Sequence, residues 1–257
     1  MNETITELVR RHDPDRFLTA LFAPPDKRDA LLTLYAFNHE LARAREVVSQ
    51  PPLALIRLQW WREVVEGAPR RHEVAEPLRA AIDCGELRAD DLLAVIEARE
   101  IEAEPAIETL DTWRSYLLHG AGGLAVAAGR LLKAPEPEAL RALGAAYGAA
   151  GVLRSVTNLA RQQRCLLPSD VLAEHGLSPE AVIGAPNSAS VVAATRRLSA
   201  DAEGWLARRA TLPRRAIAAA LPAVLARLDL RRGPLVPSQR GLADRLAVMF
   251  AAITGRV

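Results

Sequence analysis

Apolar residues recur at spacings of three and four along most of the chain, and alternation at every second position is scarce. That pattern predicts helices rather than strands. The clearest stripe lies on a long helix over 26–49, where Ala30, Leu31, Leu34, Tyr35, Phe37, Leu41, Ala44 and Val48 form one broad face. Pro24 and Pro25 precede it, and Pro51 and Pro52 stop it. A second helix is predicted over 53–66, with Leu55, Leu58, Trp61, Val64 and Val65 inward and Gly67 at its end. Further helices are predicted over 75–83, 88–103, 106–133, 138–163, 189–210, 214–230 and 239–254. They are separated by Pro105, Pro135, Pro137, Pro168, Pro213 and the stretch Pro234–Pro237. A short helix is expected after Leu167-Pro168. No repeat period and no composition break divide the chain, so the expectation is one all-α domain over 1–257, with nine or ten helices around a central space.

Half of the 257 residues are hydrophobic and a quarter are charged, which excludes intrinsic disorder and leaves enough apolar material for a large core. Two cysteines, Cys84 and Cys165, cannot build a disulfide framework or a four-cysteine zinc site, so a reducing compartment is expected. No apolar run reaches the roughly 18 residues of a membrane span. The opening stretch has Glu3 and Glu7 and no apolar core, unlike a secretory or transit signal. A cytoplasmic location follows as the expectation. The cations are almost all Arg, with Lys27 and Lys133 the exceptions, a bias typical of a G+C-rich bacterial genome. Net charge is +2, but 205–257 carries ten Arg against Asp229 and Asp244. Such a stretch suits acidic lipid or an acidic partner, or is a solvated helical face. It has no recognition motif for nucleic acid.

His39, His72, His119 and His175 have no i, i+4 pairing and no neighbouring Cys, which argues against zinc. Gly120-Ala121-Gly122-Gly123 lacks the Lys and Ser/Thr of a phosphate loop, and is expected to permit close helix approach. Trp60 and Trp61 cannot share one helical face, so one belongs in the core and the other on a rim.

Two stretches carry candidate chemistry. One is LYAFNHELARAREVVS; the other is GAAGVLRSVTNLARQQRCLLPSDVLAEHGL, where a helix runs into a Leu-Pro turn. Through them, from about Phe17 to Ala251, the chain resembles the squalene/phytoene synthase family. The resemblance implies an isoprenoid-synthase helical bundle. In catalytic members it implies head-to-head joining of two prenyl diphosphates, held by magnesium on two Asp-rich motifs of facing helices. Such chemistry needs carboxylates because hard cations with oxygen ligands neutralise the departing diphosphate.

Tyr35-Ala36-Phe37 matches the lead-in to the first motif, whose acidic positions then fall on Ala42, Arg43 and Glu46, with Arg45 adding a positive charge. Leu153-Arg154 and Leu167-Pro168 bracket the second motif without a gap. Its acidic positions fall on Ser155, Asn158 and Leu159, and Arg161 and Arg164 keep the basic flank. Glu46 is the one carboxylate among these positions; Glu40 lies on a different face of the same helix. Like charges about 4 Å apart repel by roughly 4 kcal/mol at an effective dielectric near 20, and a divalent ion about doubles that. Arg43, Arg45 and Arg154 therefore disfavour magnesium, and neither a catalytic nor a metal-ligating residue is expected here. Tyr35, Asn38, Arg43, Arg45, Arg154, Arg161 and Arg164 stand as candidate anion- or ligand-binding residues. Arg43 and Arg45 also suit ion pairs with Glu40, Glu46 or Glu63.

The stretch AFNHELARAREVVSQPPLALIRLQWWREVVEG is similar to a branch of the same fold, the complex I assembly factor 6 family. Asn38, Glu40, Leu41, Ser49, the run Leu55–Trp61 and Leu167-Pro168 with His175-Gly176 carry that likeness. It implies a non-catalytic protein without a cofactor that supports assembly of respiratory NADH dehydrogenase. The partner implied is a complex I subunit or assembly intermediate, met peripherally at the inner face of the cytoplasmic membrane. A lipid or isoprenoid ligand would occupy the apolar space beside 106–133 and 138–153. The alternative is a divergent head-to-head prenyl transferase of isoprenoid biosynthesis, with magnesium on ligands such as Glu97, Glu100 and Asp111.

Overall fold

The computed structural model describes residues 3–46, 48, 50–207, 212–233, 235 and 240–257. Among them are fourteen α-helices and no named strand. Two short helices open the order, α1 (Glu3–His12) and α2 (Pro14–Ala20). They are followed by α3 (Pro25–Glu46), α4 (Pro51–Glu66), α5 (Ala75–Asp83) and α6 (Ala89–Arg99). Then come α7 (Leu110–His119), α8 (Ala121–Leu131), α9 (Leu140–Arg161), α10 (Ser169–Glu174) and α11 (Pro179–Gly184). The order closes with α12 (Ala189–Leu206), α13 (Pro222–Arg232) and α14 (Leu242–Thr254). The all-α expectation holds, but the helices are shorter and more numerous than the periodicity predicts.

The breaks have local causes. The helix predicted over 106–133 divides at Gly120, whose ψ of −88° leaves the helical region. A Cβ there would lie 2.8 Å from the Tyr116 carbonyl oxygen. The segment predicted over 214–230 starts instead as a 3₁₀ helix, Arg214–Ala219, and restarts at Pro222, where a missing N–H costs nothing in a first turn. The helix predicted to reach 103 tightens into a 3₁₀ turn at Glu100–Ala103. Helices α2 and α11 are too short for periodicity to reveal, whereas the ten residues of α1, with Ile5 and Val9 inward, were not predicted. In α2 the signal is a cap: the Asp13 side chain accepts from the Arg16 N–H, with Pro14 following. Val48 lies beyond the end of α3. Ser49, the end of the helix predicted to 210, Pro234 and Pro237 fall outside the described residues.

Helix α3 is buried all round in its middle, every residue from Ala30 to Asn38 being buried. It packs on α1, α4, α5 and α8. On α4, Leu58, Trp61, Val64 and Val65 point inward as predicted, but Leu55 is exposed. Trp61 is buried and half-buried Trp60 meets it edge-on at 4.8 Å. Helix α9 is the second axis, packing on α7, α8, α12 and α13. Glycines set its distance from α8. A Cβ on Gly144 would lie 2.5 Å from the Ala121 carbonyl oxygen and the Ala125 Cβ, and one on Gly122 would lie 2.6 Å from the Arg141 carbonyl oxygen.

Those backbone contacts cannot yield to a rotamer change. Gly144→Ala is expected to destabilise the fold by about 1–3 kcal/mol despite alanine's helix propensity. Urea unfolding followed by circular dichroism measures it; an unchanged or raised midpoint would refute the close-approach account.

Candidate functional site

Helices α3 and α9 face each other across a cavity of about 480 Å³. Asn38, Ala42 and Glu46 line it from α3, and Gly148, Gly151, Arg154 and Ser155 from α9. The predicted first-motif positions Ala42 and Glu46 and the second-motif position Ser155 therefore share one wall system. The rest of the wall comes from His12, Asp13 and Arg16 at the α1–α2 junction, Arg99 at the end of α6, and Tyr116 to Ala121 at the α7–α8 junction.

The other predicted residues are placed elsewhere. Arg43 turns to Glu40, its Nη1 donating to the buried carboxylate at 3.1 Å. Arg45 donates to the Val48 carbonyl. Asn158 and Arg161 are exposed, and Leu159 is buried in helix packing. Tyr35 lies buried beneath Arg16, whose guanidinium carbon is 5.6 Å from its ring. Arg164 is buried against Glu102 at 2.8 Å, in no contact with the cavity wall.

Three guanidinium groups do reach the wall, and each is oriented by a carboxylate. Arg16 binds Asp13 at 2.8 Å and lies over the Tyr147 ring at 4.8 Å. Arg99 donates to Asn38 Oδ1 at 3.0 Å and pairs with Glu102. Arg154 pairs with Asp229, which Arg240 also binds while reaching Asp15 at 2.7 Å. Glu102 accepts from three groups, Arg99, Arg164 and the Tyr116 hydroxyl. Burial opposes its charge, but Arg99 and Arg164 and their hydrogen bonds outweigh it and hold the carboxyl below the usual range. At the cavity mouth the His12 and His39 rings stack at 4.6 Å, and burial together with His12 pushes His39 below the ordinary histidine value. Among the described residues no group hydrogen-bonds its Nε2.

Arg16, Arg99, His12 and Tyr147 were not among the residues predicted from sequence. The one local signal is the Arg99–Glu102 spacing, which places opposite charges one turn apart. Beside the cavity lies a groove of about 820 Å³, lined by Phe17, Leu18, Leu21 and Arg245; His12, Asp13, Tyr147 and Arg154 line both.

The donor set does not fit magnesium. Two carboxylates, Asp13 and Glu46, reach the wall against three guanidinium groups, and Asp13 is already held by Arg16. Among the described residues no group of three or more His, Cys, Asp or Glu could hold a metal. Of the alternative ligands, Glu100 is paired with Arg62 and Asp111 with Arg114.

Two long helices facing across a cavity inside an all-α bundle define an isoprenoid-synthase-like fold. The squalene/phytoene synthase family model matches residues 9–235, and the chain belongs to that family. The structure is similar to that of a dehydrosqualene synthase solved with a ligand, with a TM-score of 0.76 at 15% identity, covering 99% of this chain and 95% of that one. In sequence it is 27% identical over 232 residues to the Mus musculus NADH dehydrogenase (ubiquinone) complex I, assembly factor 6, covering 87% of this chain and 70% of the relative. It is also 27% identical over 218 residues to the phytoene synthase of Rhodobacter capsulatus, covering 81% of this chain and 64% of that one.

Glu102→Ala leaves Arg99 and Arg164 as buried unpaired charges and is expected to cost about 3–5 kcal/mol. Because the folded pKa is depressed, the Glu102 contribution is complete above the unfolded carboxylate range and is lost as pH falls through the folded value. Urea unfolding of both proteins at neutral and acidic pH should show the gap closing on acidification; a gap constant with pH would refute the pairing.

Proposed function

We propose that this chain is a non-catalytic member of the squalene/phytoene synthase family that supports assembly of respiratory complex I. The observation that carries the reading is the charge of the cavity. Where the family resemblance calls for acids, the chain has Ala42, Arg43, Ser155, Asn158 and Leu159 and keeps Glu46, while Arg16, Arg99 and Arg154 stand on the wall. The similarity to the mouse protein named as a complex I assembly factor supports the assembly role. Its partner would be a complex I subunit or an assembly intermediate. No helix among the described residues is long and apolar enough to cross a membrane, which is compatible with peripheral attachment at the inner face of the cytoplasmic membrane. The cavity and groove together suit a lipid or isoprenoid ligand, its anionic head against the guanidinium groups and its tail among Phe17, Leu18 and Leu21.

The likeness to the R. capsulatus phytoene synthase favours a second reading, a divergent prenyl transferase. Purified protein incubated with prenyl diphosphates and magnesium separates the two. No product is expected, and turnover abolished by a chelator would establish the transferase. A deletion strain tests the assembly role directly: membrane NADH oxidation and assembled complex I are expected to fall, and normal levels would remove it.

A further inference from the structure

Helix α14 is apolar on two opposite faces. Val248, Ala251 and Ala252 point inward, and the helix packs on α13 and the 3₁₀ turn 214–219. The opposite face carries Leu242, Leu246, Met249, Phe250 and Ile253, each between 44% and 73% exposed. At 100° per residue these five fall within an arc of roughly 100°, centred opposite the buried face. They include most of the large exposed hydrophobics among the described residues. A helix apolar all round belongs in a protein core or in lipid, and this one has protein on one side only.

The border of the stripe is basic. Arg245 is exposed along one edge, Arg256 is exposed just past the C-terminal end of the helix, and exposed Arg214 and Arg215 belong to the 3₁₀ turn at that end, where Arg214 donates to the Ile253 carbonyl. The one acid of the helix, Asp244, is buried and held by Arg232. A second copy of the chain would bring the same basic border to the contact with no carboxylate from α14 to meet it. An anionic lipid surface supplies what the face lacks, an apolar layer under negative headgroups.

We propose that α14 is an interfacial helix that lays the protein on an anionic bilayer, its five apolar side chains in the headgroup boundary and its arginines on the lipid phosphates. The proposal rests on the membrane part of the function proposed above and names the surface it requires. Arg245 also lines the groove that shares Tyr147 and Arg154 with the cavity, so docking by α14 would set that groove beside the bilayer.

Flotation of the full chain with phosphatidylcholine vesicles, with and without phosphatidylglycerol, tests it. The wild type should float with the anionic vesicles and lose that binding at high salt. Leu246→Asp with Phe250→Asp should abolish flotation while thermal unfolding stays unchanged, since both side chains are exposed. Arg245→Gln with Arg256→Gln should weaken binding to the anionic vesicles about tenfold or more. A wild type that stays unbound, or an L246D/F250D variant that floats equally well, would overturn the proposal. So would a wild-type dimer in sedimentation that the same variant converts to monomer. Expressing L246D/F250D in the deletion strain keeps the two readings apart. Lost flotation with restored complex I upholds α14 docking and separates it from assembly; wild-type flotation with complex I unaffected by the deletion refutes assembly alone.

Discussion

Each guanidinium that reaches the cavity wall is held by a carboxylate, and that requirement organises the site. Glu102 holds Arg99 and Arg164; Asp229 holds Arg154 and Arg240; Asp15 takes the other side of Arg240; Asp13 takes Arg16. An unpaired charge at these depths is strongly unfavourable, whereas a paired one comes near to breaking even. Of the two acids on the cavity wall, Asp13 is thereby engaged with the chain's own Arg16, which leaves Glu46 as the other carboxylate there. What faces the cavity is the outer edge of those cations, which is the opposite of what a cluster of divalent ions requires.

The same pairs fix geometry more than they add stability. Arg240 joins Asp15, at the start of the chain, to Asp229 on α13, and Arg154 ties α9 to the same acid. Arg164, just past the end of α9, reaches Glu102 in the turn after α6. Apolar burial along α3 and α9 holds the bundle together, while these links set how the short segments at the mouth lie on it. The α1–α2 junction, which has little apolar area of its own, is positioned in this way.

Helices α3 and α9 were legible from sequence because both are long, apolar in a regular pattern and bounded by prolines or by a turn. The positions that face each other were legible through Tyr35-Ala36-Phe37, Leu153-Arg154 and Leu167-Pro168. The cations of the wall were not. Arg16 lies on a seven-residue helix and Arg99 at a helix end, and an acid one turn away, Asp13 or Glu102, is a spacing that surface arginines share. The partners that aim them at the cavity, Tyr35 and Tyr147 for Arg16 and Asn38 for Arg99, are brought by tertiary packing. Arg43 and Arg45 were candidates through the motif alignment, and of the two uses open to them Arg43 takes the ion pair, with buried Glu40 one turn earlier. Gly120 was legible as a residue that permits close approach, but not as the break between α7 and α8.

Shape and charge in the cavity have separate origins, and that separation explains how one can change without the other. The hollow exists because small residues stand where α9 passes the α7–α8 junction. A Cβ on Gly148 would lie 2.6 Å from the Ala121 Cβ, while one on Gly151 would meet nothing within 4 Å. None of these positions carries charge, so replacing acids at Ala42, Arg43 or Ser155 leaves the space intact. Backbone approach preserves a compartment of fixed size, and the side chains that reach it decide its polarity. In this chain cationic groups stand on the wall of the compartment, a groove shares Tyr147 and Arg154 with it, and an arginine of the doubly apolar α14 lines that groove.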